Sequence, residues 1–295
     1  MKKVLITGAN SYIGVSFENY VKEHYNFELS TDTVDMIDGK WRQKDFSSYD
    51  IVFHVAGLAH ADVGNVSEEV KNKYYVVNTD LAIETAKKAK ADGVRQFVFM
   101  SSAIIYGDSA PYGIKKVITR ETEPKPANFY GDSKLKADLG IQELATPSFL
   151  VTILRPPMIY GKGSKGNYPT LAKMAKKLPI FPDVVNERSM LYIENLCEFL
   201  CQVMIRGLGG IFWPQNAEYS RTSELVRMIA EVSGKKILVS KAFNWVVAIA
   251  SKIPGKISGL ANKAFGNISY DQAISTYDFK YQIVDLKTSI KRTEG

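Results

Sequence analysis

Residues 5–17 read LITGANSYIGVSF, an apolar strand-like lead, a turn holding Gly8 and Gly14, and a helix-like continuation. This is nearly the spacing of a dinucleotide-binding loop. In such a loop, glycines let the backbone approach a pyrophosphate while a helix N-terminus aims its N–H groups at it. The middle glycine of the pattern is replaced by Ser11. A Cβ there restricts φ, so the loop keeps its use only where that φ stays negative. The expectation is a loop that still binds the dinucleotide, with Ser11 beside a phosphate. An imperfect glycine pattern is weak evidence alone; its place between a strand and a helix gives it weight.

The next strand, LSTDTVDM, should end on an acid that holds the ribose hydroxyls. Asp35 fits best and Asp32 is second. An acid there favours NAD, with NADP as the alternative because Lys40 and Arg42 follow closely. Further on, DIVFHVAG, RQFVFMSSAIIYG and FLVTILRPPMIYG read as strands, and VVNTDLAIETAKKAKADG as a helix ending at Gly93. VFHVAG is apolar on both faces, as a buried parallel strand should be. The alternation predicts an α/β fold: a Rossmann-type doubly wound parallel sheet with a smaller, mostly helical C-terminal substrate-binding region. The rhythm changes after Pro156. The expected division is a dinucleotide-binding domain over residues 1–155, rejoined by 186–215, and a substrate-binding region from 156–185 and 216–295. TSELVRMIAEVSGKK is expected to be an amphipathic helix with a Gly stop.

The net charge of +7 raises the question of nucleic acid. The lysines are scattered and no nucleic-acid motif is present, so no nucleic-acid partner is expected. A basic surface equally suits a multiply anionic small molecule or an acidic membrane surface. No apolar run reaches the ~18 residues of a membrane span. The chain opens directly on a strand without a signal-peptide pattern, which predicts a cytoplasmic protein. The segment 243–265 (FNWVVAIASKIPGKISGLANKAF) reads either as a membrane-surface helix or as a helix pair packed on the domain. Pro254 and the glycines favour the pair, without stable membrane insertion. Cys197 and Cys201, four apart, suggest half a metal site or two core residues. No nearby His or Cys completes a ligand set, so no metal is expected.

FYGDSK places Tyr130 and Lys134 four apart at the start of a helix, so both project from one face. An ammonium beside a phenol favours the phenolate and lowers its pKa toward neutrality, where it can serve as acid or base. The strand FVFMSS brings Ser101 and Ser102 to the same end of the sheet, where a hydroxyl can bond the reacting oxygen. Of the histidines, His54 reads as core, His24 as an exposed helix end, and His60 as a residue within reach of substrate.

At this point the chain resembles the extended short-chain dehydrogenase/reductase family, the NAD-dependent epimerase/dehydratases that act on nucleotide sugars. The likeness runs over nearly the whole length: TGANSYIG resembles TGxxGxxG, SSAIIYG resembles SSxxVYG, YGDSK resembles YxxxK, and LRPPMIYG its arginine-containing strand end. The resemblance implies that Ser102 is the catalytic hydroxyl, Tyr130 the acid/base, and Lys134 its partner and a ribose ligand. It implies cofactor contacts at Gly8, Ser11, Tyr12, Ile13, Gly14 and Asp35, with Asp45 and Phe46 framing the adenine. Val55, Ala56, Gly57 and Leu58 match the loop on the nicotinamide side, Asn78 a helix asparagine near the cofactor, and Pro157 a further cofactor contact. Met158 and Asn167 fall among substrate contacts, and Arg188 matches the arginine that grips the diphosphate.

Family dehydratases carry an Asp-Glu pair directly after the catalytic hydroxyl residue. Ala103 and Ile104 stand there and transfer no protons, which disfavours a 4,6-dehydratase. The resemblance leaves two readings, a 4-epimerase and a 4-ketoreductase of a UDP-hexose or UDP-N-acetylhexosamine in surface-polysaccharide precursor synthesis, and it implies a homodimer. From another class, the chain could be a catalytically inactive dinucleotide-binding sensor. The presence of Ser102, Tyr130 and Lys134 argues against that. A reductase of small hydrophobic carbonyls predicts an apolar substrate loop, whereas residues 162–167 are rich in Lys and Gly.

Overall fold

The computed structural model describes residues 1–59, 66–253 and 255–295. Its first half runs β1 (Lys2–Thr7), α1 (Tyr12–His24), β2 (Leu29–Val34), β3 (Ile51–His54), α2 (Glu68–Tyr75), α3 (Leu81–Ala91) and β4 (Gln96–Met100). Then come β5 (Val117–Ile118), α4 (Phe129–Gln142), β6 (Leu150–Leu154), β7 (Met158–Tyr160), α5 (Asn167–Lys177), β8 (Ile180–Pro182), β9 (Met190–Tyr192), α6 (Ile193–Arg206) and β10 (Gly210–Phe212). The chain finishes with α7 (Thr222–Val232), β11 (Leu238–Ser240), α8 (Asn244–Ala250), α9 (Lys256–Phe265), β12 (Ser269–Tyr270) and α10 (Leu286–Glu294).

Among the described residues, the main sheet has six strands in the order β10-β6-β4-β3-β1-β2, and its pairings are parallel. The two-residue side-chain period of a strand explains the layers. Val4, Ile6, Phe53 and Val98 pack on α1 and α6, while Leu5, Val52, Phe97 and Phe99 pack on α3 and α4. Both faces are covered, so the sheet is doubly wound, and its inner strands β3, β4 and β6 carry no exposed polar face. The strand order reverses between β1 and β3, whose carboxyl ends open the crevice where such sheets take ligands.

Among the described residues, the smaller region is built from three two-stranded pairs, β7-β9, β8-β11 and β5-β12, with the helices around them. β5 comes from residues 117–118 yet pairs with β12, and Ala110 bridges Asn267. The segment after β4 therefore belongs spatially with the C-terminal region, although it precedes the expected boundary at residue 155. A two-residue strand leaves no periodicity to read. The expected helix ending at Gly93 starts earlier. α2 and α3 are joined by a π-helical turn, Val76–Asp80, and Gly93 follows the end of α3 with φ +81°. Cys197 and Cys201 are buried in α6, and no group of three or more metal-ligating side chains occurs among the described residues.

Candidate functional site

The site forms where β1, β3, β4 and β6 end. Gly8 adopts φ +103°, and a Cβ there would lie 2.9 Å from the Ala56 nitrogen, so the loop and the end of β3 touch through backbone alone. Asn10 also takes a positive φ, 64°. Ser11 has φ −71°, the negative value that a Cβ requires, and its Oγ caps α1 by accepting the Gly14 N–H at 3.1 Å. The hydroxyl proton is left free to donate. The N–H groups of Tyr12 and Ile13, in the first turn of α1, have no intrahelical acceptor and form the positive end of the helix. Tyr12 contributes only backbone here, since its ring is turned inward against Gly161 and its hydroxyl is buried.

Asp35 follows the last residue of β2 and is exposed, with Oδ1 accepting the Ile37 N–H at 2.8 Å. Asp32, the runner-up, lies inside β2 and is tied to Lys44 and the Tyr49 hydroxyl. The geometry thus leaves Asp35 at the crevice and gives Asp32 a structural network. Asp45 is exposed, and both its oxygens accept from Ser47. Phe46 is expected with Asp45 at the adenine. Its ring is fully buried in the core with Lys88 Nζ over it at 4.8 Å, and its N–H donates to Asp92 at 3.0 Å.

Asn78, fully buried in the π turn, holds three parts together. Its Oδ1 accepts the Leu58 N–H at 2.7 Å, and its Nδ2 donates to the Leu58 carbonyl at 3.1 Å and to Ser133 Oγ at 3.2 Å. The 55–58 loop is thereby tied to α4, the helix that carries Tyr130 and Lys134. A π turn at a functional position is the usual place for one. Helical periodicity continues through it, so the spacing of apolar residues carries no sign of it. His60 lies outside the described residues.

α4 is capped by Asn128, whose Oδ1 accepts the Gly131 N–H at 3.0 Å. A Cβ on Gly131 would meet the Ile104 carbonyl oxygen at 2.9 Å, so the helix start lies directly on the turn after Ser102. This contact brings Tyr130 to Ser102. The two serines separate here: Ser101 is buried and donates to Asp138 at 2.6 Å, while Ser102 faces the other way and its Oγ accepts the Ile104 N–H at 3.3 Å. The expected phenolate near neutrality is corrected. Burial, reinforced by Tyr74, pushes Tyr130 up to about 12, and the Ser102 hydroxyl works the other way. Lys134 Nζ donates to the Met100 carbonyl at 3.0 Å, and burial lowers it to about 8. Desolvation of the phenol outweighs the Ser102 hydroxyl.

A group that the sequence reading left without a role supports the same helix. Asp138, on α4, receives Arg155 Nη2 at 2.8 Å and Nε at 3.0 Å, and Arg155 Nη1 donates to the Tyr106 hydroxyl at 2.9 Å. The signal was present as Asp138 four residues after Lys134 on the inner face of α4.

Across the site, a small cleft is lined by Ala103, Pro157, Met158, Arg188 and Tyr270 among others. Three expected residues thus meet beside Ser102. Among the described residues, Arg188 forms no ion pair, and its Nη1 bonds only the carbonyls of Lys263 and Gly266, at 2.8 and 3.3 Å. Burial without a counter-charge lowers its guanidinium to about 10. A cation held by carbonyls and facing a cleft is suited to an anion. Asn167 stands exposed at the first position of α5, outside the set lining this cleft. His54 is fully buried with Nδ1 2.7 Å from Thr7 Oγ1, and His24 is the exposed last residue of α1.

The sequence profile of the NAD dependent epimerase/dehydratase family matches residues 4–211. The UDP-glucose 4-epimerase of Vibrio cholerae is 29% identical over 227 residues, covering 75% of this chain and 68% of the relative. The N-acetyl-alpha-D-glucosaminyl-diphospho-ditrans,octacis-undecaprenol 4-epimerase of Escherichia coli O157:H7 is 27% identical over 214 residues, 67% of this chain and 61% of the relative. Among solved structures, the dTDP-4-dehydrorhamnose reductase of Bacillus anthracis in complex with NADP superposes with a TM-score of 0.74 at 19% identity, over 99% of this chain and 98% of that one. The UDP-glucuronic acid 4-epimerase of Bacillus cereus in complex with NAD gives 0.72 at 14% identity, over 99% and 97%. These structural likenesses share the fold.

Proposed function

Because the chain belongs to the NAD dependent epimerase/dehydratase family, we propose that it is an enzyme of oxidoreduction at C4 of a nucleotide sugar, a UDP-hexose or UDP-N-acetylhexosamine. The observation that supports this most directly is the start of α4, which carries Tyr130 and lies on the turn after Ser102, beside a cleft lined by an Arg188 that forms no ion pair among the described residues. The cofactor site fits a dinucleotide. The free N–H groups of Tyr12 and Ile13, the backbone contact at Gly8, and Asp35 beyond β2 would hold its phosphates and ribose. When bound, NAD supplies a hydride acceptor and donor at its nicotinamide, and NADP remains the alternative.

Tyr130 exchanges a proton with the C4 oxygen of the sugar, and Ser102 hydrogen-bonds the same oxygen. Lys134 places a positive charge beneath the 55–58 loop, where a developing phenolate on Tyr130 is favoured. Arg188 grips the diphosphate, with Pro157 and Met158 walling the cleft. Ala103 and Ile104 offer no acid or base, so the elimination of water is not supported. An epimerase returns the hydride to the other face of C4, while a ketoreductase releases its product. The E. coli relative acts, by its name, on a sugar carried on undecaprenyl diphosphate, and an arginine that grips a diphosphate suits that carrier as well. The proposal keeps the expected homodimer and cytoplasmic location. No helix among the described residues is long and apolar enough to cross a membrane.

The purified protein is assayed for bound nicotinamide, then incubated with UDP-hexoses and 4-keto-UDP-sugars, with and without added NADH. Turnover without added cofactor identifies an epimerase; NADH consumption that depends on a keto-sugar identifies a reductase. Tyr130→Phe should lower turnover by about 10²–10⁴-fold. A sensor would keep its function in that variant, which would sink the enzymatic reading.

A further inference from the structure

Six large apolar side chains stand exposed within sixteen residues of α8, α9 and their connection: Trp245 (62%), Val246 (45%), Ile249 (53%), Ile253 (40%), Ile257 (51%) and Leu260 (69%). Single exposed apolar residues are ordinary, but a contiguous group is not. The segment is firmly seated on its other side. Val247, Ala261 and Phe265 are buried, Phe265 meets Phe181 with ring centroids 5.5 Å apart, and Asn244 Nδ2 donates to the Asp183 carbonyl at 2.8 Å. Trp245 and Ile249 stand four apart on one face of α8, and Ile253 follows in the turn beyond it.

The charge around this face has one sign. Residues 232–270 contain six lysines, at 235, 236, 241, 252, 256 and 263, and no Asp or Glu, against a net charge of +7 for the whole chain. Lys235, Lys236, Lys241, Lys252 and Lys263 are exposed. Apolar side chains among ammonium groups are the composition that settles at the boundary between headgroups and acyl chains of an anionic membrane. We propose that the α8–α9 hairpin is a docking surface for an anionic lipid bilayer. The C-terminal end of α9 supplies the Lys263 carbonyl that accepts from Arg188, so a docked hairpin holds the substrate cleft next to the membrane surface.

Trp245 reports on this directly, because Trp41 and Trp213 are 1% and 6% exposed. The full chain is mixed with vesicles of phosphatidylcholine alone or containing about 30 mol% phosphatidylglycerol, a composition chosen for surface charge. With the anionic vesicles, Trp245 emission should shift to the blue and the protein should co-sediment. Binding should drop at least about tenfold on phosphatidylcholine alone or in about 0.5 M salt. Ile249→Glu and Leu260→Glu change exposed positions, so they should keep the wild-type Tm and lose binding by at least about tenfold. Unchanged emission with protein left in the supernatant would overturn the proposal, as would binding indifferent to both substitutions. A self-association that Leu260→Glu abolishes, without vesicle binding, would assign the face to a second copy of the chain instead.

Discussion

Lys134 Nζ donates to the Met100 carbonyl oxygen, 3.0 Å away, and lies 3.2 Å from where a Cβ on Gly57 would stand. The ammonium is therefore fixed between the end of β4 and the 55–58 loop. Burial has lowered it to about 8, with Asp138 pulling the other way. The charge that favours a phenolate on Tyr130 is lost as the pH rises through that value. The pH profile of kcat/KM should fall above about pH 8 with loss of a single proton. Lys134→Met should remove this limb and lower activity by about 10²-fold or more throughout. A wild-type profile flat to well above pH 8 would show that the charge is not used.

The parts of this architecture that were legible in the sequence are those written in local spacing. Strands buried on both faces announce themselves as apolar runs, so β1, β3, β4 and β6 were visible. Tyr130 and Lys134 were visible because four residues is one helical turn. What was not legible depends on tertiary contact. The π turn at Asn78 leaves the apolar pattern intact, and Arg155 and Asp138 meet only after β6 and α4 are packed together. The raised Tyr130 pKa belongs here too, since spacing shows a lysine one turn away but not the desolvation of the phenol. The burial of the Phe46 ring is of the same kind, because only the folded core decides which way it turns.

Arg155 and Asp138 form an ion pair with 5% and 0% exposure, supplemented by Ser101, Gln142 and Tyr106. Removing one partner strands the other charge in the interior. Asp138→Ala should lower the unfolding free energy by about 3–5 kcal/mol, read from urea denaturation. Asp138→Ala combined with Arg155→Met should cost less than the sum of the single changes, because the second relieves the buried charge. Additive losses would show that the pair is not coupled.

His54 should make the protein labile to acid. Burial lowers its pKa from 6.5 to about 3. Between these values the unfolded chain binds a proton that the folded chain does not, so stability rises with pH across that window and is lost as pH falls through it. The largest contribution of one such group is about 4–5 kcal/mol, reached near pH 3. His54→Gln should flatten the pH dependence of the unfolding free energy by close to one proton between about pH 4 and 6. A slope identical to wild type would show that His54 is not kept neutral.

The serine in place of the middle glycine is now a cap rather than a defect. At φ −71° its Cβ costs the backbone nothing, and Oγ takes the Gly14 N–H that the first turn of α1 would otherwise leave unpaired. Ser11→Gly should therefore lower stability by only a few tenths of a kcal/mol, since glycine is itself a tolerable cap, while Ser11→Ala should cost about 1 kcal/mol. Dinucleotide affinity separates the two uses of the hydroxyl. The cap consumes an acceptor lone pair and leaves the proton to a phosphate oxygen, so Ser11→Gly should weaken binding modestly, within about tenfold, or ~1.4 kcal/mol. Titration of NAD by calorimetry measures it. If Ser11→Gly instead tightened binding by more than that, closer backbone approach would be worth more than the hydroxyl, and the serine would be a handicap that the cap merely compensates.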